Sequence, residues 1–212
     1  MRINDSLDLI YRDAHLIVAN KPAGLLAVPG RGPDKQDCLA ARIREIFPDA
    51  LIVHRLDMAT SGLMIFARSA EMQRRLSQMF CRREVRKHYV AVVAGRLEPS
   101  SGEVGLPLAA DWPNRPKQKI DSSLGKNSLT RYRSLEHEVE TNTSRVELEP
   151  VTGRTHQLRV HMAAIGHPIL GDELYGGDAS RRAERLLLHA SGLSFMHPLG
   201  EERLSFTSAP PF

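Results

Sequence analysis

Short apolar runs separated by turn-forming residues recur along the chain, and the strongest pair flanks a polar loop. Residues 51–53 and 63–67 are apolar, which predicts two buried strands. Between them, residues 54–62 form the loop HRLDMATSG, with Asp57 as its only carboxylate. A rigid scaffold that presents a polar loop is a usual place for chemistry. Taken alone, however, an Asp beside Ser and Thr is more often a turn or cap residue, because these side chains bond to their own backbone.

Apolar residues at helical spacing predict three helices, and other apolar runs predict short strands. The region 98–127 is rich in Gly and Pro and is predicted to be irregular. Short strands interspersed with separated helices, without a regular βαβ rhythm, favour an α+β fold with a mixed, largely antiparallel central sheet flanked by helices. No linker is evident, so one domain over residues 1–212 is expected. The predicted helices cover residues 38–47, 70–82 and 155–165, and the predicted strands cover residues 8–11, 15–20, 88–93, 129–135, 145–149, 186–189, 193–196 and 203–206.

The composition is that of a globular protein with a mild excess of positive charge. A hydrophobic content of 42% supports a substantial core, and the net charge of +4 suggests an acidic partner. The two cysteines lie far apart in sequence, which indicates free thiols in a reducing compartment. The first ten residues lack the apolar stretch of a secretion signal, and no run approaches the roughly 18 residues that span a bilayer. We therefore expect a cytoplasmic protein that does not enter a membrane.

The predicted third helix carries two histidines, His156 and His161, which raises the question of a metal site. A separation of five residues corresponds to about 140° around a helix, so the two side chains do not share a face. Zinc-dependent hydrolases place their histidines four residues apart, with an adjacent Glu. The glycine motifs that bind phosphates or dinucleotides do not occur either. We therefore expect chemistry that uses side chains alone, with no metal and no cofactor.

Five motifs resemble those of one enzyme family and follow the family's order. HRLDMATSG, residues 54–62, is similar to the signature of the RluA family of RNA pseudouridine synthases, and GRTHQLRVHMAAIGHPILGDELYG, residues 153–176, is similar to that family's third long motif. The resemblance implies the pseudouridine synthase catalytic fold and a cofactor-free isomerisation of a uridine that is flipped out of its RNA stack. The other motifs are NKPAG at residues 20–24, RKHYVA at residues 86–91 and LLHA at residues 187–190.

The resemblance also bears on substrates and on domain content. The segment DWPNRPKQK, residues 111–119, together with the short chain, is similar to a bacterial branch of the family that modifies one uridine in 23S rRNA and one in the tRNA anticodon loop. This implies stem-loops of both RNAs as partners. The first motif begins by residue 20, so an N-terminal S4-type RNA-binding domain is not expected. We expect a monomer.

The resemblance assigns roles to individual residues. Asp57 corresponds to the family's essential aspartate and is expected to act at the ribose, either as a nucleophile at C1′ or as a base at C2′. Tyr89 corresponds to the tyrosine that stacks on the target base, close to its C5 proton. Arg159 corresponds to the arginine that pairs with the aspartate, and such a pair keeps a carboxylate ionised in a dry site. Arg55 corresponds to the side chain that enters the RNA stem when the uridine leaves it.

Further residues are expected to contact RNA. Leu158 is expected to pack against the target base. Arg115, Lys117 and Lys119 flank the chain's single tryptophan, Trp112, in a loop. Because cations that bind phosphates release counterions, contacts of this kind predict strongly salt-dependent binding.

Two histidines and a threonine have roles that the sequence leaves open. His54 and Thr60 belong to the signature loop and are counted among the substrate-binding residues. His54 and His189 are, however, better interpreted as packed, hydrogen-bonded core histidines, and Thr60 as a residue that holds the turn.

Two other functions use the same residues differently. A catalytically silent RNA-binding protein would share the fold, but Asp57, Tyr89 and Arg159 are all present, which argues against it. A hydrolytic N-glycosidase would need a second carboxylate to activate water. Glu147 and Glu149 alternate on one predicted strand and could supply it, although they are expected to form surface ion pairs instead.

Overall fold

A computed structural model describes residues 7–212. The first six residues, part of the segment used above to argue against a secretion signal, lie outside the described residues. The chain forms two compact units. The first comprises the chain through Arg86 together with Ala190–Ala209, and the second comprises Lys87–His189 and Pro210–Phe212.

Residues 7–212 contain twelve strands and three α-helices. In this range, no helix combines the length and the apolar character needed to cross a membrane. The strands are β1 (Asp8–Arg12), β2 (Leu16–Lys21), β3 (Leu51–Ile52), β4 (Ser61–Ala67), β5 (Arg86–Ala94), β6 (Ser101–Val104), β7 (Leu108–Ala110), β8 (Gln118–Ile120), β9 (Thr130–Glu138), β10 (Thr143–Pro150), β11 (Leu188–Met196) and β12 (Arg203–Thr207). The helices are α1 (Leu39–Ile46), α2 (Ala70–Cys81) and α3 (Gln157–Ala164).

Strand β4 lies at the centre of the first unit, and all seven of its residues are buried. It pairs antiparallel with β2 along its length and with β3 at one end, while β1 pairs with β2 and β12 with β11. Gly62 of β4 has a φ of 117°, and a Cβ there would lie 2.4 Å from the carbonyl oxygen of Ala190. Only glycine therefore fits where the polar loop enters the strand.

The two helices of the first unit follow the predicted apolar pattern. Ser69 caps α2 by accepting a hydrogen bond from the Met72 N–H at 3.2 Å, which explains why the helix begins at Ala70. Met72 and Leu76 are buried in a core cluster with residues such as Ile65 of β4. The predicted helix at 70–82 is confirmed, as is the helix at 38–47, whose buried residues include Leu39 and Ile43.

The second unit is organised around β10, which pairs antiparallel with β5 on one side and with β9 on the other. Strand β6 adds to β9, while β7 and β8 form a separate two-stranded hairpin. Leu148 of β10 stands opposite Tyr89 of β5 and opposite Tyr132 of β9. Antiparallel ladders combined with three separated helices confirm the predicted α+β class.

Three details of the prediction were wrong. The region 98–127 is not irregular but contains β6, β7 and β8, whose strands of three or four residues are too short to show an alternating pattern. Helix α3 begins at Gln157 rather than at residue 155, because His156 has a left-handed φ of 55°. The two strands predicted at 186–189 and 193–196 are one continuous strand, β11, in which Gly192 pairs with Thr207.

Candidate active site

Asp57 is half-buried in the loop between β3 and β4, and a buried lysine anchors that loop. Lys21 is 0% exposed at the end of β2, and its ammonium donates to the carbonyl oxygens of Pro22, Leu25 and Met58 at 2.8, 2.7 and 2.9 Å. An ammonium has three N–H donors, and these three carbonyls all lie within hydrogen-bond distance of it. Lys21 therefore ties down the backbone next to Asp57. The sequence analysis noted this lysine only as part of the NKPAG motif.

His54 and Thr60 support the same loop. The Thr60 N–H donates to the Asp57 carbonyl oxygen at 3.1 Å, and the Thr60 side chain is buried. Because β3 has only two residues, the N–H of Ile65 in β4 donates instead to His54 Nε2 at 2.9 Å. The His54 ring also stacks on Phe80, with 4.5 Å between ring centroids. These contacts favour the interpretation of His54 as a packed histidine and of Thr60 as a residue that holds the turn.

Arg55 and His189 differ sharply in exposure. Arg55 is exposed in the loop, as a side chain that enters an RNA stem must be. His189 is 1% exposed near the start of β11, which favours a packed role.

Tyr89 and Leu158 lie in the second unit. Tyr89 is half-buried on β5, and Leu158 is 6% exposed on α3. Each residue of α3 from Gln157 to Met162 is buried, so this helix is a core element rather than an amphipathic surface helix.

Arg159 of α3 forms a buried bidentate ion pair with Asp172. Its Nε lies 2.8 Å from Asp172 Oδ2 and its Nη2 lies 2.7 Å from Asp172 Oδ1. The two side chains are 6% and 1% exposed. Asp172 Oδ1 also accepts hydrogen bonds from the backbone N–H groups of Leu174 and Tyr175, at 2.9 and 3.1 Å. These two hydrogen bonds fix the Asp172 carboxylate within its own turn. Asp172 was not predicted as a site residue, because the sequence shows it only as one position of the long third motif.

Tyr175 links the start of α3 to the β7–β8 hairpin. The Arg159 guanidinium lies over the Tyr175 ring, with Cζ 5.2 Å from the centroid. The Tyr175 hydroxyl is 2.7 Å from His156 Nδ1 and accepts from the Gln118 N–H, also at 2.7 Å. The ring thus sits between the buried arginine and the first residue of β8.

His161, two residues after Arg159, is 0% exposed within a polar network. Its Nδ1 is 2.9 Å from Thr130 Oγ1, and its Nε2 is 2.9 Å from the Leu106 carbonyl oxygen and 3.1 Å from Ser128 Oγ. Burial lowers the pKa of His161 below its usual 6.5, and the hydrogen bond to Leu106 opposes that shift only in part. The neutral imidazole is therefore the form that this network favours.

The three predicted RNA-contacting cations lie on one hairpin, residues 108–120, which we call the basic hairpin. Arg115 stacks on Trp112, with Cζ 3.3 Å from the ring centroid. Lys119 forms an ion pair with Asp121 at 3.3 Å. Lys117 donates its backbone N–H to the Asn114 carbonyl oxygen at 3.0 Å.

Glu147 and Glu149 form surface ion pairs, as predicted. They stand directly opposite Arg133 and Arg131 of β9, with ion-pair distances of 3.3 and 3.6 Å. Both carboxylates are therefore occupied by arginines on the neighbouring strand.

The predicted site residues divide between the two units. Those of the first unit lie on the loop anchored by Lys21, and those of the second lie on β5, α3 and the basic hairpin. Across residues 7–212, no three His, Cys, Asp or Glu side chains are grouped in a way that could hold a metal ion. The first unit holds His54, Arg55, Asp57 and Thr60, and the second holds Tyr89, Arg115, Lys117, Lys119, Leu158 and Arg159.

Comparison with known sequences identifies close relatives. The family model described as RNA pseudouridylate synthase matches residues 15–164. The dual-specificity RNA pseudouridine synthase RluA of Pasteurella multocida is 50% identical over 207 residues, which cover 97% of this chain and 94% of that protein. The enzyme of the same name from Escherichia coli strain K12 is 48% identical over the same length, with the same coverage of both chains.

Solved structures of two RNA pseudouridylate synthase domain proteins share the fold of this chain. Human RNA pseudouridylate synthase domain containing 1 superposes with a TM-score of 0.82 at 31% identity, covering 100% of this chain and 86% of its own. Human RNA pseudouridylate synthase domain containing 4 has a TM-score of 0.76 at 26% identity, covering 96% and 88%. The predicted pseudouridine synthase catalytic fold is thereby confirmed.

Proposed function

The chain belongs to the RNA pseudouridylate synthase family and isomerises uridine to pseudouridine in RNA, and we propose that its substrates are uridines in stem-loops of 23S rRNA and of the tRNA anticodon arm. The observation that carries the proposal is the identity of 50% over 97% of the chain to an enzyme named for dual specificity. RNA recognition of this kind uses unpaired, splayed bases, which stem-loops supply.

Asp57 is proposed to act at the ribose of the target uridine. In the reaction the N1–C1′ bond breaks, a C5–C1′ bond forms, and the proton on C5 is exchanged for one on N1. No water is consumed and no electrons are gained or lost, so one carboxylate suffices where a hydrolytic glycosidase usually needs two. The anchoring of the Asp57 backbone by Lys21 supports this role, because a group that acts on one ribose carbon must be held in place.

The residues of the second unit are proposed to contact the target base and to supply positive charge to the site. Tyr89 stacks on the uracil and handles the C5 proton, with Leu158 packed against the same base. Arg159 supplies the positive charge that pairs with the carboxylate of Asp57. The bidentate contact with Asp172 supports this role, since it holds the guanidinium in one orientation.

The remaining residues are proposed to hold the RNA. Arg55, which is exposed, fills the gap left in the stem by the flipped uridine. Arg115, Lys117 and Lys119 contact phosphates. The protein acts as a monomer in the cytoplasm, with residues 1–212 as a single catalytic domain despite its two compact units.

Mapping of pseudouridines in cellular RNA tests the choice of substrates. A strain that lacks the gene is complemented with the wild type, with Asp57→Asn, or with Asp37→Asn, a matched change at an exposed aspartate paired with Arg42. We expect the wild type and Asp37→Asn to restore one site in 23S rRNA and one in tRNA, and Asp57→Asn to restore neither. Restoration in only one of the two RNAs would contradict dual specificity.

A further inference from the structure

We propose that the indole of Trp112 is a stacking platform for an unpaired base of the RNA, separate from the site that holds the target uridine. The inference rests on the proposed function, because it assumes a stem-loop substrate. It adds a base-binding subsite on the basic hairpin, where the sequence predicted only contacts from the flanking cations.

The first observation is the exposure of the ring. Trp112 is 67% exposed, and it is the only aromatic among the large hydrophobic side chains that are exposed in residues 7–212. Tryptophan usually buries a large apolar area. An exposed tryptophan ring on a protein that has a hydrophobic core therefore points to a binding partner.

The second observation is the position of Arg115. Its guanidinium carbon lies 3.3 Å from the centroid of the indole, over one face of the ring. The residue nevertheless remains 67% exposed, which leaves the opposite face available. The open face fits a nucleobase, and the arginine behind the ring brings a positive charge close to the phosphates of the same nucleotides.

The third observation is that the platform is held in place. Trp112 opens a 3-10 turn in which Asn114 donates its N–H to the Asp111 carbonyl oxygen at 3.1 Å, and Asp111 donates its N–H to the Lys117 carbonyl oxygen at 3.0 Å. The hairpin is then tied to Tyr175, whose hydroxyl accepts from the Gln118 N–H at 2.7 Å. A preorganised ring loses little conformational entropy on binding.

The chemistry around the ring selects RNA as the partner. Arg115 and Lys117 are cationic, and the residues between Trp112 and Arg115 are Pro113 and Asn114. A protein-docking surface would surround such a ring with further apolar side chains. Stacking on an aromatic face tolerates any base, so the platform contributes affinity and register rather than sequence readout.

The single tryptophan makes the contact directly measurable. Full-length Asp57→Asn, which keeps the RNA unmodified, is titrated with a labelled anticodon stem-loop, and indole emission is recorded alongside the anisotropy of the label. We expect a saturable change in emission that follows occupancy, and a much smaller change with a fully paired duplex at equal occupancy. Unchanged emission while the stem-loop is bound would overturn the proposal.

Variants provide the second arm, with thermal unfolding as a check on folding. Trp112→Ala is expected to weaken stem-loop binding by between about 5-fold and about 150-fold, the range for loss of one base stack, and Trp112→Phe to recover most of that loss. The matched control is Leu124→Ala, a change at a side chain that is 82% exposed in the same unit, and it should bind as the wild type does. Equal affinity of Trp112→Ala and the wild type would overturn the proposal.

Salt dependence separates stacking from an indirect effect through Arg115. Trp112→Ala should leave the slope of log affinity against log salt unchanged, whereas Arg115→Ala should reduce it by about 0.7 for a single-stranded phosphate contact. A reduced slope in Trp112→Ala would mean that the indole only holds Arg115 on a phosphate, and would overturn the stacking role. If the proposed substrates are wrong, the anisotropy of the label shows no stem-loop binding, whereas failure of the stacking role leaves binding intact with unchanged indole emission. The two failures are therefore distinguishable.

Discussion

Arg159 and Asp172 form a bidentate ion pair that is almost completely removed from solvent, at 2.8 and 2.7 Å, thirteen residues apart in sequence. The arginine belongs to α3 and the aspartate to the turn that follows the helix. Because the carboxylate also accepts two backbone N–H groups of that turn, the guanidinium is held by a rigid partner. Arg159 is thus fixed in one orientation by a carboxylate of its own unit.

Removal of the charge on Asp172 should destabilise the protein strongly. Asp172→Asn removes the carboxylate charge that binds a buried guanidinium at two atoms, which is expected to lower the free energy of unfolding by about 3–5 kcal/mol. Chemical denaturation measures the change. The control is Asp178→Asn, which breaks an ion pair with Arg181 whose side chains are 94% and 80% exposed, and should lower it by no more than about 0.5 kcal/mol. Equal effects of the two substitutions would contradict this account of the pair.

Replacement of Lys21 should lower both the stability of the protein and its turnover. Lys21→Met removes the donors of three carbonyl oxygens, and we expect the free energy of unfolding to fall by about 2–4 kcal/mol. Because these contacts hold the backbone beside Asp57, kcat of the folded enzyme should also fall, by about 10-fold to about 100-fold. The exposed Lys35→Met serves as the control in both measurements. Loss of turnover with unchanged stability would indicate a chemical role for Lys21.

Acid should destabilise the second unit through His161. Its pKa is lowered by burial in the folded protein, so the unfolded chain binds the proton more readily. The contribution of His161 to stability is therefore complete above its ordinary pKa of 6.5 and is lost as the pH falls from there toward the folded pKa. Denaturation between about pH 7.5 and about pH 5 should show a smaller pH dependence for His161→Asn than for the wild type. Parallel curves for the two proteins would rule out this source of acid sensitivity.

Loss of the Tyr89 hydroxyl should impair catalysis while RNA binding is retained. If the hydroxyl handles the C5 proton, Tyr89→Phe should lower kcat by about 100-fold or more, with the dissociation constant for RNA nearly unchanged. Tyr132→Phe is the matched control, since Tyr132 stands opposite the same residue, Leu148, on the other side of β10. Full activity of Tyr89→Phe would exclude the proton-handling role.

The sequence predicted those helices and strands whose hydrophobic pattern is contained within a few neighbouring residues. The buried run of β4 and the apolar spacing of α2 are each visible within a few residues, and both elements were predicted correctly. The basic hairpin was not, because strands of three residues carry no measurable periodicity and depend on pairing. Asp57, Tyr89 and Arg159 were predicted as site residues from family motifs, and their roles stay predictions. Asp172 was missed because a contact between a helix and the turn after it leaves no spacing rule in the sequence.

Release of tritium from RNA labelled at C5 of uridine tests the central claim most directly, since isomerisation at the target uridine must expel the C5 hydrogen. Stem-loop RNA is incubated with the wild type, with Asp57→Asn and with the surface control Asp37→Asn. We predict release by the wild type and by Asp37→Asn, with none by Asp57→Asn although it still binds the RNA. Equal release by Asp57→Asn would remove this carboxylate from the mechanism, and free uracil among the products would indicate hydrolysis instead of isomerisation.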